Sequence, residues 1–234
     1  MKKSLLVLII ASLFVATGTN GQTKTYFSSS GEMIFSFATL EYTVENTVYD
    51  KGNIMRWSPV FNFQNLFNVD PSKYFGLFTG LGWRNVGFIH EVPNSGIKYK
   101  YRTYNLGLPV GIKIGDLNGF FVYGGYEIEY AFNYKEKRFE NDSKVGKDVY
   151  WFNDRVTQFP QSVLVGINFP YGFNLKFKYY LTNFHNQDYI AIIDGNEVKP
   201  YENLKSNVFY ISLNFGLFSP ARKHYDPRKW EEVY

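Results

Sequence analysis

Apolar and polar side chains alternate one by one along the segment from Phe120 to Lys135. One side of this predicted strand carries mostly large apolar residues, and the other carries small or polar residues together with Glu127 and Glu129. The segment is longer than the ~5–6 residues that are usual for strands in soluble sheets. Alternation over this length is typical of a strand that crosses a bilayer, where about 9–11 residues span the hydrocarbon with their apolar side toward lipid.

Seven further segments repeat this alternation. The eight predicted strands, in chain order, cover residues 32–42, 54–64, 74–85, 101–114, 120–135, 162–169, 173–182 and 209–217. Pro59 lacks a hydrogen-bond donor for the ladder, so we expect a bulge beside it. Small residues such as Gly124 and Gly125 are expected to relieve crowding. The pattern predicts an all-β chain that folds as an eight-stranded antiparallel transmembrane up-and-down β-barrel.

The links between these strands alternate between long and short. The short links carry the Gly, Asp, Asn and Pro residues of tight turns and cover residues 65–73, 115–119 and 170–172. The longer links cover residues 43–53, 90–100, 136–160 and 183–207. Bacterial barrels join their strands by short periplasmic turns and longer outer loops. The pattern therefore predicts that both ends of the chain lie in the periplasm and that the long links lie outside.

The first 21 residues have the three-part layout of a cleavable secretory signal. Lys2 and Lys3 precede an apolar run, Leu5–Ala16, and small or polar residues follow up to Gly21. The apolar run is too short to cross a membrane as a helix. The predicted division of the chain is a signal peptide at 1–21, a periplasmic N-terminal segment at 22–30, the barrel at 31–218 and a periplasmic C-terminal tail at 219–234.

Aromatic residues near the predicted strand ends support a membrane position. Rings with a polar edge favour the boundary between hydrocarbon and headgroups. The residues expected in these girdles are Trp57, Phe75, Trp83, Tyr101, Tyr104, Tyr130, Tyr134 and Tyr179. The alternative is a secreted lipocalin-like or sandwich protein with its apolar residues inside. Eight long strands of bulky aromatics exceed what so narrow a lumen holds, which favours the membrane barrel.

Composition excludes several other classes of protein. The chain has 20 Tyr, 23 Phe and 20 Gly, and it has no Cys. The lack of Cys excludes a disulfide framework and thiolate metal sites. The formal net charge of +4 includes the two signal-peptide lysines, so the exported chain carries about +2. Such a weak charge gives no support to a nucleic-acid partner.

The inward faces of the predicted strands carry charged side chains. Two carboxylates, Glu127 and Glu129, face cations from other strands. The predicted lumenal charge network consists of Arg56, Arg84, Lys113, Glu127, Glu129, Lys135, Lys176 and Lys178. A buried charge is costly unless it is paired and hydrogen-bonded, so we predict that this network is a structural plug. The functional alternatives for the same residues are an ion path and a catalytic acid–base pair.

The chain resembles the small outer-membrane β-barrel proteins of Gram-negative bacteria, which include OmpA-like and OmpX-like barrels. The segments that carry the resemblance are GLFTGLGWRNVGF, LGLPVGIKIG, FVYGGYEIEYAFNYKEK and FNLKFKYYLTNFHN. The resemblance covers about residues 31–218 and implies an integral barrel that anchors, adheres or assists a larger assembly. Such barrels often end on a terminal aromatic residue, whereas here Ser219–Tyr234 follows Phe218.

Two further sets of residues are candidates for chemistry or binding. An outer-membrane hydrolase or acyltransferase would need a Ser and a His near the membrane edge. The residues whose location fits this role are His90, His185, Ser95 and Ser206. The outer link 136–160 contains the aromatic trio Tyr150, Trp151 and Phe152. This trio either anchors a partner, because hot spots favour such rings, or it folds onto the barrel rim or enters the membrane interface.

These observations together predict a non-enzymatic, integral outer-membrane barrel with a lumen filled by side chains. Its expected role is structural or binding, or that of an accessory subunit of an envelope complex. The expected partners are outer-membrane lipid and other envelope proteins, with no cofactor, no metal and no nucleic acid. The alternatives are a lipid-modifying hydrolase or acyltransferase at the rim and a small, porin-like pore.

Overall fold

The computed structural model describes residues 23–220, with gaps at 45–46, 52, 93–95 and 194, and it leaves the side chains of 42–53, 92–95 and 193–194 undescribed. The predicted signal peptide and nearly all of the predicted tail lie outside the described residues. No helix within the described ranges is long and apolar enough to cross a membrane.

The described residues form strands and a single short helical turn, Pro170–Gly172. The strands are β1 (Lys24–Val44), β2 (Thr47–Lys51), β3 (Asn53–Ile54), β4 (Arg56–Ser58), β5 (Phe63–Asp70), β6 (Phe75–Val92), β7 (Ile97–Gly115), β8 (Phe121–Glu140), β9 (Ser143–Trp151), β10 (Gln161–Asn168), β11 (Phe173–Tyr180), β12 (Ala191–Ile193), β13 (Asn196–Val198) and β14 (Leu204–Phe215).

Eight of these strands close into a ring, which confirms the predicted antiparallel up-and-down barrel. The order around the ring is β1, β5, β6, β7, β8, β10, β11 and β14, and β14 pairs with β1. The short strands β2 and β4 pair with β1, β3 pairs with β6, and β9 extends the sheet from the outer part of β8. A separate hairpin consists of β12 and β13. The short turns lie at one end of the ring, the turn end, and the longer hairpins lie at the other, the loop end.

The alternation on β7 shows how the predicted faces appear in the structure. Leu108 and Val110 are 56% and 57% exposed on the outside, whereas Lys113 is fully buried in the lumen. The inward positions of β10, β11 and β14 also match the predicted pattern of buried residues. Each of the eight strands carries large apolar side chains exposed on its outer face, so the outer surface of the ring is of the kind that faces lipid.

Inward-facing glycines let neighbouring strands approach closely. A Cβ atom placed on Gly125 would lie 2.4 Å from the backbone oxygen of Val110 and 3.0 Å from the Cα of Gly111 on the adjacent strand. A Cβ atom on Gly124, which faces outward, would meet only the Leu164 oxygen, at 3.6 Å. The predicted relief of crowding therefore falls on the inward member of this pair.

The first strand is longer than the sequence pattern indicated. It begins at Lys24 and not at Glu32, and its first residues pair with β5. Residues 24–30 thus belong to the barrel and not to the N-terminal segment that we expected before it. The serines of this stretch hide the strand in the sequence, because Ser28 and Ser30 face the lumen without any apolar alternation around them.

The second predicted strand is interrupted beside Pro59, where we expected a bulge within one continuous strand. The strand β4 ends at Ser58, and the chain continues as β5 from Phe63 to Asp70. Phe61 has a φ of 61°, and Val60, predicted to face inward, is 57% exposed. The turn after this strand is shorter than predicted, because residues 65–70 continue the strand.

The central strand changes face at a bulge. The pairing of β7 with β8 shifts between Tyr104 and Asn105, so that Phe132 is the extra residue on β8. A bulge of this kind moves the following side chains to the opposite face. Tyr134 is consequently fully buried inside the barrel, and Lys135 lies on the outer face. The sequence analysis predicted the reverse, with Tyr134 toward lipid and Lys135 in the lumen.

The glycine pair offers a test of the crowding argument. We expect Gly125→Val to lower the free energy of unfolding by about 1–3 kcal/mol, because the added side chain overpacks the strand interface. Gly124→Val is the matched control and should leave stability unchanged or slightly higher. Urea unfolding in detergent micelles, followed by Trp fluorescence, measures both. Equal destabilisation by the two variants would contradict the assignment of faces.

Candidate functional site

A buried network of ion pairs crosses the middle of the lumen. Lys178 Nζ lies 2.6 Å from Glu127 Oε2 and also contacts Glu129. The Arg84 guanidinium lies 3.4 Å from Glu127 Oε1. All four side chains are inaccessible to solvent. Four of the predicted lumenal residues are therefore brought into direct contact.

Glu32 is a member of this network that the sequence analysis missed. Its carboxylate lies 2.7 Å from Lys176 Nζ and 3.5 Å from Arg84 Nη1, and it accepts a hydrogen bond from Ser212 Oγ. The only signal in the sequence was its position at the predicted start of the first strand. Because that strand begins eight residues earlier, Glu32 lies in the interior of the barrel and not at its rim.

The network is balanced in charge. Glu32, Glu127 and Glu129 face three cations, which are Arg84, Lys176 and Lys178. Neutral groups complete the hydrogen bonding of Glu129. Tyr180 and Asn105 donate to its carboxylate over 2.9 and 2.6 Å. Paired charges with additional hydrogen bonds are the arrangement that makes burial of ions tolerable.

Glycines at the same level make room for these long side chains. A Cβ atom on Gly107 would lie 2.2 Å from Glu127 Oε1, and one on Gly82 would lie 2.8 Å from Arg84 Nη1. Both glycines face the lumen beside a charged residue. The sequence thus places small and long side chains at one level of the ring, and together they fill it.

A second ion pair lies nearer the turn end. Lys113 Nζ is 2.6 Å from Asp70 Oδ1 and 3.1 Å from Asn68 Oδ1. Lys113 was predicted to join the network around Glu127, and it instead pairs with Asp70, which the sequence analysis had placed in a turn. The physical reason is distance along the strand, because Lys113 lies six residues, or about 20 Å, from the level of Gly107.

The chain closes the turn end of the lumen with its own C-terminal part. Gly216 has a φ of 72°, and after it the chain folds inward. Phe218 is 7% exposed, and its ring lies 4.8 Å from that of Tyr123 and 5.3 Å from that of Phe121. Phe215 is instead the last outward aromatic residue of the barrel, at 70% exposure.

Two residues of the predicted network lie elsewhere. The Arg56 guanidinium donates to the Asn85 backbone oxygen and side-chain oxygen, over 3.1 and 2.5 Å. Lys135 lies opposite Arg102 and Val149 on the outer face of the sheet. The β8 bulge explains the second correction, and the interruption of the chain at Pro59 explains the first. The bulge and the interruption at Pro59 leave the alternation of apolar and polar residues in the sequence unchanged, so the sequence pattern does not reveal them.

Two connecting segments fold over the loop end of the lumen. This outer plug consists of residues 152–160 and 181–190. Backbone hydrogen bonds join its two parts, from Thr157 N to Phe184 O at 3.1 Å and from Asn186 N to Arg155 O at 3.1 Å. The Arg155 guanidinium lies 4.3 Å from the centre of the Tyr150 ring. The plug therefore has its own hydrogen bonding and does not depend on the charge network.

His185 lies at the centre of the outer plug. Its ring stacks on Tyr201 at 4.5 Å and meets the edge or face of Tyr101 at 4.9 Å and of Tyr134 at 6.2 Å. The imidazole Nδ1 is 3.2 Å from Ser206 Oγ. Tyr101 and Tyr134, which were predicted in the membrane girdles, thus face the interior instead.

Desolvation in this plug keeps the imidazole neutral. Burial lowers the pKa of His185 from its ordinary 6.5 to about 3. Ser206 Oγ accepts from the His185 backbone N–H, so its hydroxyl proton is available to the imidazole Nδ1. Both side chains are fully buried. His90 lies on β6 opposite Tyr99, and Ser95 is outside the described residues.

The predicted aromatic trio divides between two environments. Tyr150 faces the plug, where its ring stacks on Tyr134 at 6.2 Å. Trp151 and Phe152 are 61% and 67% exposed on the outer surface. Trp151 stacks on Phe132 at 6.2 Å, so it continues the row of outward aromatic rings.

The described residues contain no group of three His, Cys, Asp or Glu side chains arranged to hold a metal ion.

No family model matches the chain. No curated protein matches it either.

Several solved structures are similar to the chain. Ail of Yersinia pestis, in complex with the heparin analogue sucrose octasulfate, is 12% identical with a TM-score of 0.34, over 80% of this chain and 97% of that chain. Neisserial surface protein A is 10% identical with a TM-score of 0.36, over 84% and 99%. The outer membrane protein OprG from Pseudomonas aeruginosa is 11% identical with a TM-score of 0.34, over 82% and 95%. The strand pairing of the present chain establishes its fold independently of these likenesses.

Loss of one buried partner tests the central network. We expect Lys178→Met to lower the free energy of unfolding by about 3–5 kcal/mol, because two carboxylates lose their common cation. Lys205→Met is the control, since Lys205 pairs with Glu41 at an exposed site, where a pair contributes at most about 1 kcal/mol. Urea unfolding in micelles measures both. If Lys178→Met lowered the free energy of unfolding no more than Lys205→Met does, the proposed stabilisation by the buried ion pairs would be contradicted.

The plug predicts a dependence of stability on pH. His185 stays neutral in the folded chain but gains a proton below pH 6.5 when unfolded. The folded state therefore loses stability as the pH falls from 6.5 toward 3, by about 2 kcal/mol between pH 6.5 and 5. His185→Asn should lack this component. Urea midpoints of wild type and variant from pH 8 to 5 measure the difference, and parallel curves would contradict it.

Proposed function

We propose that the protein is an integral outer-membrane barrel with a closed lumen, which acts as a structural or binding component and presents its outer hairpins to partners. One combined observation carries the proposal. The outer surface of the ring is apolar, and the interior is filled by a neutral network of ion pairs with packed aromatic groups on both sides.

The distribution of side chains supports insertion into a membrane. Exposed apolar residues follow all eight strands, and the charged residues that face the lumen, such as Arg84, Glu127 and Lys178, are buried. In water this arrangement would expose a continuous apolar surface, which soluble monomers avoid. In a bilayer it satisfies the backbone through the closed ring and the side chains through lipid. The predicted signal peptide supports export to the outer membrane.

The filling of the lumen supports a barrel that does not conduct. Arg84, Lys176 and Lys178 form contacts across the interior with three carboxylates. The outer plug lies on one side of this network, and Phe218 with its neighbouring rings lies on the other. A cavity of about 490 Å³ at the turn end is lined by Phe121 and Phe218. An ion that crossed the lumen would have to displace several of these layers.

The environment of the Ser–His pair supports a role other than catalysis. Ser206 and His185 are within hydrogen-bond distance, which is the geometry that a nucleophile and its base require. The rings of Phe88, Tyr101 and Phe184 surround the imidazole, and both side chains of the pair are fully buried. A nucleophile must meet its substrate, and these rings occupy the space that a substrate would need. The pair serves better as the anchor of the outer plug.

The extended β8–β9 hairpin supports a binding role. It continues beyond the closed ring, with β9 paired on one side only among the described strands. Its outer face carries Trp151 and Phe152 at high exposure. Large exposed rings beside charged residues are the composition that binding hot spots favour. This surface is therefore the best candidate for contact with lipid or with an envelope partner.

Planar-bilayer recording tests the closed lumen. We expect the purified chain to insert, as shown by protection from protease and by heat-dependent migration on gels, and to give no steady conductance steps. The ion-pair network and the outer plug are the physical reason. Steady single-channel steps of uniform size from the folded wild type would contradict the proposal and favour the pore.

Reconstitution of the protein into phospholipid vesicles tests the enzymatic alternative. Phospholipid turnover should remain at background for the wild type and for Ser206→Ala alike. Turnover by the wild type that Ser206→Ala and His185→Asn both abolish would contradict the non-enzymatic proposal.

A further inference from the structure

The outer face of the β7–β8–β9 sheet carries a dense group of cations beyond the ring. We call this group the basic face. Its members are Lys100, Arg102, Lys135, Lys137, Lys144 and Lys147. All six lie on the side of the sheet that is continuous with the apolar outer surface of the barrel. For β8 this placement follows from the bulge, which turns Lys135 and Lys137 outward.

The register of the three strands brings the cations directly opposite one another. Lys137 pairs with Lys100 on one side and with Lys147 on the other. One step closer to the ring, Lys135 pairs with Arg102. Neighbouring strands are about 4.8 Å apart, so the three lysines of the first row lie within about 10 Å. Like charges directly opposite each other destabilise a sheet.

Within the described part of the chain, the cations of the basic face have no ion-pair partners. None of its six members forms an ion pair with a carboxylate among the residues that the structure describes. Of the four carboxylates of this hairpin, Glu136 and Asp148 lie opposite each other on the other face. Glu140 pairs with Arg138, and Asp142 pairs with Lys98. An anion bound between these cations would therefore reduce their mutual repulsion.

Aromatic rings mark the depth of this surface relative to the membrane. Trp151 and Tyr104 lie in one row with Asn133, and Phe132 joins Trp151 to Trp83 through ring contacts of 6.2 and 5.0 Å. Such rings settle at the headgroup boundary. Lys135 follows that row by two residues, which is about 7 Å along the strand. The basic face therefore begins at the depth of lipid headgroups.

We propose that the basic face binds the phosphate groups of anionic lipids in the outer leaflet. The inference rests on the proposed membrane position. A phosphate between the rows of cations neutralises charges that the chain itself leaves uncompensated, and the lipid chains lie against the apolar surface directly below. A soluble polyanion would also be attracted to these cations, but it would not contact the adjoining row of aromatic rings. We therefore assign the site to lipid.

Lipid retention by the full chain in dodecyl maltoside micelles tests this inference. The probes are phosphatidylglycerol and phosphatidylcholine, with lipid phosphorus measured after gel filtration. The test variant is Lys135→Gln with Lys137→Gln and Lys147→Gln. The control has the same change in charge elsewhere, as Lys73→Gln with Lys199→Gln and Lys205→Gln. Each lysine near an anionic lipid contributes about fivefold, so we expect about a hundredfold weaker retention of phosphatidylglycerol by the test variant only.

The outcomes separate this inference from the proposed function. A chain that folds, as shown by heat-dependent migration, but retains phosphatidylglycerol equally in test and control variants overturns the inference alone. The inference is also overturned if dextran sulfate or inorganic phosphate binds the basic face as tightly as the lipid does. A wild type that fails to insert into vesicles contradicts the proposed function itself. Loss of retention in the test variant with full retention in the control supports the lipid site.

Discussion

The small diameter of an eight-stranded ring limits the size and the charge of the side chains that can face its interior. An interior of this width is filled by side chains, so each inward residue must find its partners among other inward residues. Charged groups can be accommodated there only if their charges cancel. Glu32, Glu127 and Glu129 meet three cations within the same layer. Glycines beside them provide the space for these long side chains, so the small and the charged inward residues depend on one another.

The layers on both sides of the network have a different physical basis. At the turn end, Phe218 folds inward onto aromatic rings. At the loop end, the outer plug combines backbone hydrogen bonds with the packing around His185. Apolar layers keep water from the ion pairs and thereby strengthen them. Ion pairs, packed aromatic rings and hydrogen-bonded backbone thus occupy successive levels of the lumen.

The part of the sheet beyond the ring obeys another constraint. Inside the barrel, each charge is compensated within the chain, whereas on the basic face Lys100, Lys137 and Lys147 lie side by side. The same strands therefore carry charges that are paired with each other in the interior and, on the outer surface, cations that have no ion-pair partners among the described residues. A structural interior and a surface suited to a partner can coexist in so small a barrel because the two lie on opposite faces of one sheet.

The sequence by itself determined the ring, because alternation with a period of two reports directly which side of a strand each residue occupies. It also identified Arg84, Glu127, Glu129, Lys176 and Lys178 as inward-facing. Only the tertiary structure decided the exceptions. A bulge adds a residue without any mark in the pattern, a serine-rich strand shows no alternation, and a segment that folds back into the lumen has no periodicity. Which cation meets which carboxylate depends on the stagger between strands, and that is a property of the closed ring.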